Sequence, residues 1–409
     1  MSRFFVRFTE EAERSMVMST LAPTAPESDR PYPARRDNHL LIADLGPEEV
    51  ASARESGAEI YEDVRFEEVV QDPLLRGRGP SWPYWEPQAG ALAPAATQVT
   101  QADVMNHIRA PEAWEISRGA GVTIAIVDTG IAGGRPEFPP QKRSARSVSF
   151  AFAEPWQDIK GHGSMCASAA AATTAAGGRF NGVAPDAELL SARTTLFSTD
   201  LFKLYDQLID DREHGLLGPL VISNSYGLYR CDPPPGIPED HPYLGLVREA
   251  VANGIVVVFA AGNNHADVLC NHDPAACSPN SIWAVNSVDE VLTVGTVNAD
   301  NSNDVGAHAN SSRGPGQWAV QRPKPDVVAP TYGEIVWGNG YRVMEWWGTS
   351  GACPQVAGLA ALILSVNPTL QPAQVSDIIR STARPLPAAH LCVGAGLIDC
   401  RAAVEGAGS

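Results

Sequence analysis

The sequence lacks any apolar run that approaches the roughly 20 residues of a membrane-spanning helix. Its longest apolar runs, at 254–261 and 359–366, have the length of buried core elements. Basic residues are also scarce, since 30 Lys and Arg stand against 47 Asp and Glu and give a net charge of −17. No basic block is present for binding nucleic acid or anionic lipid, so the composition predicts neither a nucleic-acid partner nor a membrane partner.

A secretion signal is missing from the first 25 residues. Glu10, Glu11, Glu13 and Arg14 fall where the apolar region of a signal peptide would have to lie. We therefore expect a cytoplasmic protein, and export by another route stays open.

The seven cysteines are an odd number and match no zinc-binding spacing. Cys270 with Cys277, and Cys392 with Cys400, are close enough in sequence to form disulfides. Without an export signal, a reducing compartment and free thiols are the simpler expectation.

Residues 1–72 have the pattern of a small α+β module. Alternating apolar and polar positions predict strands at 3–8 and 60–66, and a short apolar run predicts another strand at 39–43. Between the second and third strands, Pro47 at a first helical position and Gly57 as a terminator predict a helix.

The remaining chain divides into two further parts. Residues 73–100 are rich in Pro and Gly, which predicts an exposed linker with a processing site. Residues 101–409 alternate strands, at 122–127, 220–224 and 255–259, with helical segments. Such alternation predicts an α/β domain with three layers around a mostly parallel central sheet.

Three residues in this domain suggest acyl-transfer chemistry. A hydroxyl is a poor nucleophile at neutral pH, so it requires an adjacent base and a group that orients that base. Asp128 ends a predicted strand in the run VDTG, and His162 lies between two glycines. Ser350 lies in GTSGACP, with a helix predicted at 352–366 and Pro354 in its first turn, where a missing amide proton costs nothing. A carboxylate, an imidazole and a hydroxyl in these settings predict an Asp128–His162–Ser350 catalytic group.

The same chemistry needs donors for the oxyanion that forms on the substrate carbonyl. Asn263 follows a predicted strand and supplies a side-chain amide, and the backbone amide of Ser350 supplies a second donor. The positive end of a helix that begins near Ser350 favours the same negative charge.

These motifs give the chain a clear resemblance to the subtilisin-like serine proteases, whose catalytic order is Asp, His, Ser. The resemblance covers about residues 101–405. Its runs are DTG at 128–130, HG at 162–163, GVAP at 182–185, SYG at 225–227, AGN at 261–263, KPDVVAP at 324–330 and the segment 348–358. It implies a serine endopeptidase that needs no cofactor, acts on proteins or peptides, and is made as a zymogen inhibited by its own N-terminal prodomain.

The family also implies a substrate cleft. A substrate would add a strand to one edge, and a second segment would form the wall of the pocket for the residue before the scissile bond. The implied substrate-binding residues are Ser225, Tyr226, Gly227, Ala260, Ala261 and Gly262. Tyr226 and Phe259 could narrow the pocket, while the insertion 231–242 is either a solvated loop or a source of acidic contacts.

Several positions depart from the family pattern without removing a catalytic atom. Gly351 follows the serine where methionine is usual, and Gln355 replaces a usual histidine. Cys166, one helical turn after His162, should lie beneath the imidazole as a small buried residue. The loop 177–181 lacks the asparagines of the family's calcium site, so calcium stays open and no metal ligand is assigned.

Two other functions fit parts of the pattern. An esterase of the α/β-hydrolase type needs Ser, Asp and His in that order, which Ser350, Asp377 and His390 provide, but Ala352 stands where its motif needs glycine. A catalytically inactive peptide-binding module is the alternative without enzyme activity.

Overall fold

The computed structural model describes residues 2–10, 13–15, 17, 31–68, 100–228, 230–233, 237–267, 270–297, 306–344 and 346–408. The strands are β1 (Ser2–Arg7), β2 (Tyr32–Pro33), β3 (Leu40–Leu45), β4 (Glu59–Glu62), β5 (Glu67–Glu68), β6 (Thr123–Asp128), β7 (Val148–Ser149), β8 (Glu188–Arg193), β9 (Leu220–Asn224), β10 (Tyr226–Gly227), β11 (Val256–Ala260), β12 (Leu292–Val297), β13 (Val327–Pro330), β14 (Gly333–Trp337) and β15 (Gly340–Met344). The helices are α1 (Pro47–Glu55), α2 (Gln101–His107), α3 (Ala110–Ala113), α4 (His162–Ala171), α5 (Ser198–Glu213), α6 (Pro242–Ala252), α7 (Gly348–Val366), α8 (Pro372–Thr382), α9 (His390–Val393) and α10 (Cys400–Ala407).

A seven-stranded sheet, in the order β13-β12-β11-β9-β6-β8-β7, forms the centre of the described structure. Every pair of neighbouring strands in it is parallel. Strand β6 contributes Ile124 and Ile126 to the core on one face, and Ala125 and Val127 to the core on the other. Burial on both faces explains why these strands are continuous apolar runs in the sequence. The predicted α/β fold class is confirmed.

Helices cover both faces of this sheet. Helices α4 and α7 pack in one core, and α5 and α6 pack in the other. By length and composition α7 is apolar enough to cross a membrane, but 89% of its apolar window is buried inside the protein. The apolar composition of α7 is therefore explained by its place as the central core helix of the α/β domain.

The N-terminal residues form an antiparallel sheet in the order β2-β3-β1-β4. One face of this sheet packs under α1, while the other, through Phe5 and Tyr61, joins the core formed by α5 and α6. Asp63 accepts hydrogen bonds from the backbone nitrogen and hydroxyl of Thr199, both at 2.9 Å, and so satisfies donors in the first turn of α5. The two parts of the chain thus share one core and one helix cap.

The domain boundaries at 72 and 100 stay predictions. The linker predicted at 73–100 lies outside the described residues except for Thr100. We call residues 2–68, as far as they are described, the N-terminal module.

Helix α7 begins earlier than predicted, at Gly348 rather than at 352, so that Ser350 is inside the helix. Pro354 consequently lies beyond the first turn, and the prediction that its missing amide proton costs nothing is wrong. In a helix the amide of residue 354 would bond the carbonyl of Ser350. That carbonyl instead accepts hydrogen bonds from Ser225 Oγ at 3.0 Å and Cys166 Sγ at 3.5 Å. Pro354 therefore leaves the Ser350 carbonyl free to accept these two hydrogen bonds, which connect α7 to Ser225, the residue before β10, and to α4.

Two disulfides, Cys231–Cys270 and Cys277–Cys392, pair four of the seven cysteines, and neither is a pair suggested by sequence proximity. Cys166, Cys353 and Cys400 are free and buried. The expectation of free thiols throughout is thus wrong, because chain folding brings together cysteines that are 39 and 115 residues apart. Closing such long loops is where a disulfide restricts the unfolded chain most.

A buried ion pair gives a test of this fold. Lys324 is fully buried, and its Nζ contacts Asp326 Oδ2 at 2.8 Å. Asp326→Ala would leave the ammonium buried without its carboxylate, and should cost about 3–5 kcal/mol of unfolding free energy. Urea unfolding of the full chain, in a Ser350→Ala background that removes the candidate nucleophile, measures this loss.

Asp186→Ala is the matched control. Asp186 pairs with Arg118 at 2.9 Å, but both side chains are more than a third exposed. Such a pair contributes about 0–1 kcal/mol. Equal losses in the two variants would contradict the role assigned to the buried pair.

Candidate active site

Asp128 lies at the carboxyl end of β6 and is 1% exposed. Its Oδ1 accepts a hydrogen bond from the Thr129 backbone nitrogen at 2.7 Å. Both carboxylate oxygens contact His162 Nδ1, at 2.8 and 2.9 Å. A carboxylate in this position holds the proton on Nδ1 and leaves Nε2 as the basic nitrogen.

His162 is the first residue of α4, and a network centred on Asp158 holds this end of the helix. Asp158 Oδ1 accepts from Thr129 Oγ1 and from the Gly161 nitrogen, and Oδ2 accepts from the Ser164 nitrogen. A Cβ at Gly163 would lie 2.1 Å from the Gly130 carbonyl oxygen, so only glycine permits this approach of α4 to the end of β6. The sequence analysis missed Asp158, which no motif marks.

The charges around His162 stabilise its protonated form relative to a histidine side chain in water. Burial alone lowers its pKa, but the Asp128 carboxylate raises it by charge and by hydrogen bonding, and Glu68 and Asp158 add to this. The net pKa lies above the usual histidine value. His162 is therefore a stronger base than a free imidazole.

Ser350 is fully buried, and its Oγ donates to the Ser225 carbonyl oxygen at 3.3 Å. None of the described residues hydrogen-bonds His162 Nε2, which is buried. Ser350 and the Asp128–His162 pair meet at Cys166, whose Sγ lies 3.5 Å from the Ser350 carbonyl oxygen and 3.6 Å from Asp128 Oδ2. The structure thus joins Asp128 to His162 directly and places Ser350 beside them, with its hydroxyl turned to Ser225. Long catalytic hydrogen bonds are common without a substrate.

Asn263 follows β11 and is fixed by Thr349, the residue before Ser350. Its Oδ1 accepts from the Thr349 nitrogen at 3.0 Å and from Thr349 Oγ1 at 2.9 Å. Thr349 Oγ1 in turn accepts from the Gly262 nitrogen at 3.1 Å. With its carbonyl end anchored, the Asn263 amide is held in one orientation. Thr349 was missed as a positioning residue, although it stands inside the recognised GTS run.

The six predicted substrate-binding residues lie on two neighbouring segments, β10 with Ser225 and the end of β11 with Ala261 and Gly262. Asn286 links them, because its Nδ2 donates to the Tyr226 carbonyl at 2.7 Å and to the Ala260 carbonyl at 2.8 Å. Sequence reasoning missed Asn286, an isolated asparagine in an irregular segment. It fixes the spacing between the two segments.

The rings of Tyr226 and Phe259 pack in the core, and the expectation that they narrow a substrate pocket stays a prediction from the sequence. Both are fully buried and pack edge to face, with centroids 5.6 Å apart, in the core of α5 and α6. Tyr226 Oη donates to Asn224 Oδ1 at 2.9 Å. Side chains on a strand alternate between its two sides, and here the tyrosine side faces the core.

The N-terminal module covers the same strand. β5 pairs antiparallel with β10, with Glu68 opposite Tyr226 and Glu67 opposite Gly227. Lys160 Nζ, two residues before His162, contacts Glu68 Oε1 at 2.7 Å. A segment of the chain itself therefore lies along the predicted substrate-binding edge.

Two groups of residues offer candidate metal ligands, and the hydrogen bonds they make favour neither. Asp128, His162 and Cys166 present three ligand atoms within 4.8 Å of one another, but the first two are bonded to each other. Burial raises the pKa of the Cys166 thiol well above its usual value, which disfavours the thiolate that metals bind. In the loop 177–181, Asn181 Oδ1 is occupied by the Thr174 backbone nitrogen. No metal ligand is assigned among the described residues, and calcium binding stays open.

The esterase alternative places its acid and base elsewhere. Asp377 is paired with Arg380 and Arg322 on an exposed surface, and His390 is exposed at the start of α9. Within the described part of the chain, neither of them hydrogen-bonds Ser350, which bonds Ser225. The geometry therefore favours Asp128 and His162 as the partners of Ser350.

Comparison with known proteins identifies the family of the chain. The Subtilase family (peptidase S8) matches residues 119–396. Serine protease AprX of Bacillus subtilis (strain 168) is 31% identical over 298 residues, which are 64% of this chain and 61% of AprX. The chain thus spans less than two thirds of that relative.

Two solved structures are similar in fold. The crystal structure of MycP1 with its N-terminal propeptide removed has 28% identity and a TM-score of 0.54, covering 74% of this chain and 96% of MycP1. Fervidolysin from Fervidobacterium pennivorans, a keratinolytic enzyme related to subtilisin, has a TM-score of 0.67 at 18% identity and covers 99% of this chain and 61% of its own. With the family match spanning most of the α/β domain, the chain belongs to the subtilase family of serine proteases.

Proposed function

We propose that this protein is a serine endopeptidase that hydrolyses peptide bonds through an acyl-enzyme, with Asp128, His162 and Ser350 as its catalytic residues. The observation that carries the proposal is the buried contact of 2.8 Å between Asp128 and His162, beside the serine at the beginning of α7. Its substrates are proteins or peptides. The absence of a nucleic-acid or membrane partner stays a prediction from composition.

In this mechanism, Ser350 Oγ leaves the Ser225 carbonyl and gives its proton to His162 Nε2 as it attacks the scissile carbonyl carbon. Asp128 holds the other imidazole proton and stabilises the imidazolium that forms. The Ser350 backbone nitrogen and Asn263 Nδ2 donate to the oxyanion, and Thr349 fixes the orientation of Asn263. His162 then protonates the leaving amine, and water takes the place of that amine to release the acyl group.

We extend the proposal to a zymogen in which the N-terminal module inhibits the enzyme. β5 occupies the edge of β10 that a substrate would use, and the module packs against α5 and α6 through Phe5 and Tyr61. A substrate and β5 would compete for the same backbone donors and acceptors of β10. The cytoplasmic location stays a prediction, and the two disulfides favour an oxidising compartment instead.

The nucleophile is tested by Ser350→Ala. Removal of Oγ should lower kcat on a peptide substrate by at least about a thousandfold and stop release of the N-terminal module from purified protein. Intact mass spectrometry and a fluorogenic peptide assay follow the two effects. His390→Ala, a change on the exposed surface, is the control and should keep both; loss of activity in His390→Ala as well as in Ser350→Ala would favour the esterase assignment.

The titration of His162 is a second test. Its pKa is raised by Asp128, so the ring should lose its proton above pH 6.5, and activity, which needs the neutral ring, should rise with pH through that value. NMR titration of the imidazole in the Ser350→Ala protein measures the pKa directly. Adding Asp128→Asn should move the pKa of His162 below 6.5, because the imidazole stays buried while the carboxylate charge that raises its pKa is removed. A pKa below 6.5 before that change would contradict the assigned pair.

Acid should weaken the contact of the N-terminal module with the α/β domain. His241 packs against Phe5 and Tyr61, with centroids 5.1 and 5.7 Å apart, and burial lowers its pKa to about 4. Its Nδ1 accepts from the Tyr243 nitrogen, and burial outweighs the hydrogen bond with the Glu62 backbone, which raises the pKa. A histidine with a lowered pKa stabilises the packed state above pH 6.5 and loses that contribution as pH falls toward 4.

At pH 5 this loss amounts to about 2 kcal/mol, or about thirtyfold, for a shift from 6.5 to about 4. Hydrogen exchange of the β1 amides in the Ser350→Ala full chain, corrected for intrinsic rates, should show that loss of protection between pH 7 and pH 5. His241→Asn keeps a helix cap but does not titrate, so its protection should change much less. Equal changes in both proteins would assign the effect to other groups.

A further inference from the structure

The segment that lies on β10 has a defined register, which shows where a substrate would place each residue. Glu67 is opposite Gly227, and Glu68 is opposite Tyr226. An antiparallel strand in this register puts its next residue opposite Ser225. The Ser225 carbonyl accepts the hydrogen bond of Ser350 Oγ at 3.3 Å, so that next residue is the one beside the nucleophile. A substrate bound in this way has its scissile carbonyl one residue after the position of Glu68.

The second residue before the scissile bond would then take the place of Glu68. The Glu68 carboxylate contacts Lys160 Nζ at 2.7 Å, and Lys160 side-chain exposure is 59% against 23% for Glu68. Glu68 also raises the pKa of His162, so the negative charge of Glu68 acts on the catalytic imidazole. Lys160 is therefore a cation at the edge of the cleft, aimed at the side chain of this residue.

The fourth residue before the scissile bond would take the place of Phe66. Phe66 is fully buried, and its ring packs edge to face on Tyr226 and Tyr243 with centroids 5.7 and 5.6 Å apart. Its backbone nitrogen donates to the Leu196 carbonyl at 2.8 Å, on the side away from β10. The occupant thus lies between β10 and the segment at Leu196, with an aromatic ring packed against two tyrosines.

From this geometry we propose that the cleft selects peptides with an aromatic residue four positions before the scissile bond and a carboxylate two positions before it, with Lys160 as the residue that reads the carboxylate. This inference rests on the proposed peptidase function and names its substrate class. The N-terminal module inhibits by presenting the same pattern, Phe66-Glu67-Glu68, to the cleft.

The magnitudes of the two contacts differ. A peptide with phenylalanine at this position buries its ring against two tyrosines and should bind about tenfold to hundredfold more tightly than the same peptide with alanine. An exposed Lys–Glu pair adds up to about fivefold, and less at high salt. The aromatic residue therefore sets most of the binding, and the carboxylate adds a salt-dependent preference.

The test uses internally quenched peptides that share one sequence and vary at two positions, Phe or Ala at the first and Glu, Gln or Lys two residues later. With the full-chain protein after intact mass spectrometry shows release of its N-terminal module, kcat/KM should fall about tenfold or more when Phe becomes Ala, and about fivefold from Glu to Gln, with Lys lower still. Mass spectrometry of the products should show cleavage three residues after Phe and one residue after Glu.

Lys160→Glu should reverse the order of the Glu and Lys peptides, and 1 M NaCl should reduce the difference between them. Arg118→Ala, which removes an exposed cation paired with Asp186, is the matched control and should leave the peptide order as it is. Equal rates for Glu and Lys peptides, or an order that Lys160→Glu does not change, would overturn the role of Lys160. Cleavage at bonds unrelated to Phe would overturn the register.

Failure of this inference can be separated from failure of the proposed function. A protein that cleaves the peptides, or a general protein substrate such as casein, without these preferences is a peptidase of different specificity. A protein that cleaves none of them, under conditions where Ser350→Ala is equally inactive, lacks the proposed function itself.

Discussion

The buried contact between Asp128 and His162 is the interaction on which the rest of the site depends. A carboxylate can be kept in such a place only when donors surround it, and here Thr129 and the imidazole provide them. The contact requires that the end of β6 and the start of α4 approach closely, which the Gly163 backbone permits and the Asp158 network holds. The two-sided burial of the sheet supplies the rigidity that keeps these ends in place.

The strands of the central sheet were predicted well because burial on both faces leaves an uninterrupted apolar run in the sequence, and β9 was predicted with its observed bounds. The start of α7 was predicted less well. This helix begins after Trp347, which does not cap it through a side-chain hydrogen bond, so the usual polar signal is absent. The disulfides were mispredicted because proximity in sequence says nothing about which loops the fold closes.

The chemical residues of the site are recognisable in sequence because each stands in a short run with a demanding backbone. The residues that position these chemical residues are not recognisable in the sequence. Asp158, Asn286 and Thr349 act through hydrogen bonds to backbone or side-chain atoms of other segments, and Asn286 bonds Tyr226 across 60 positions. A lone asparagine or aspartate is common in turns, so its sequence setting carries no sign of such a role. The orientation of Ser350 Oγ toward Ser225 likewise depends on packing around one rotatable bond.

The strand β5 belongs to the same chain as the edge it covers. While the chain is intact, the proposed inhibition is an intramolecular event, governed by the local concentration of β5 at this edge and not by the concentration of a separate inhibitor. Once the connection is cut, the same contacts must compete at whatever concentration the free fragment has. Simple dilution, with no new interaction and no further chemistry, would then convert a blocked enzyme into a working one.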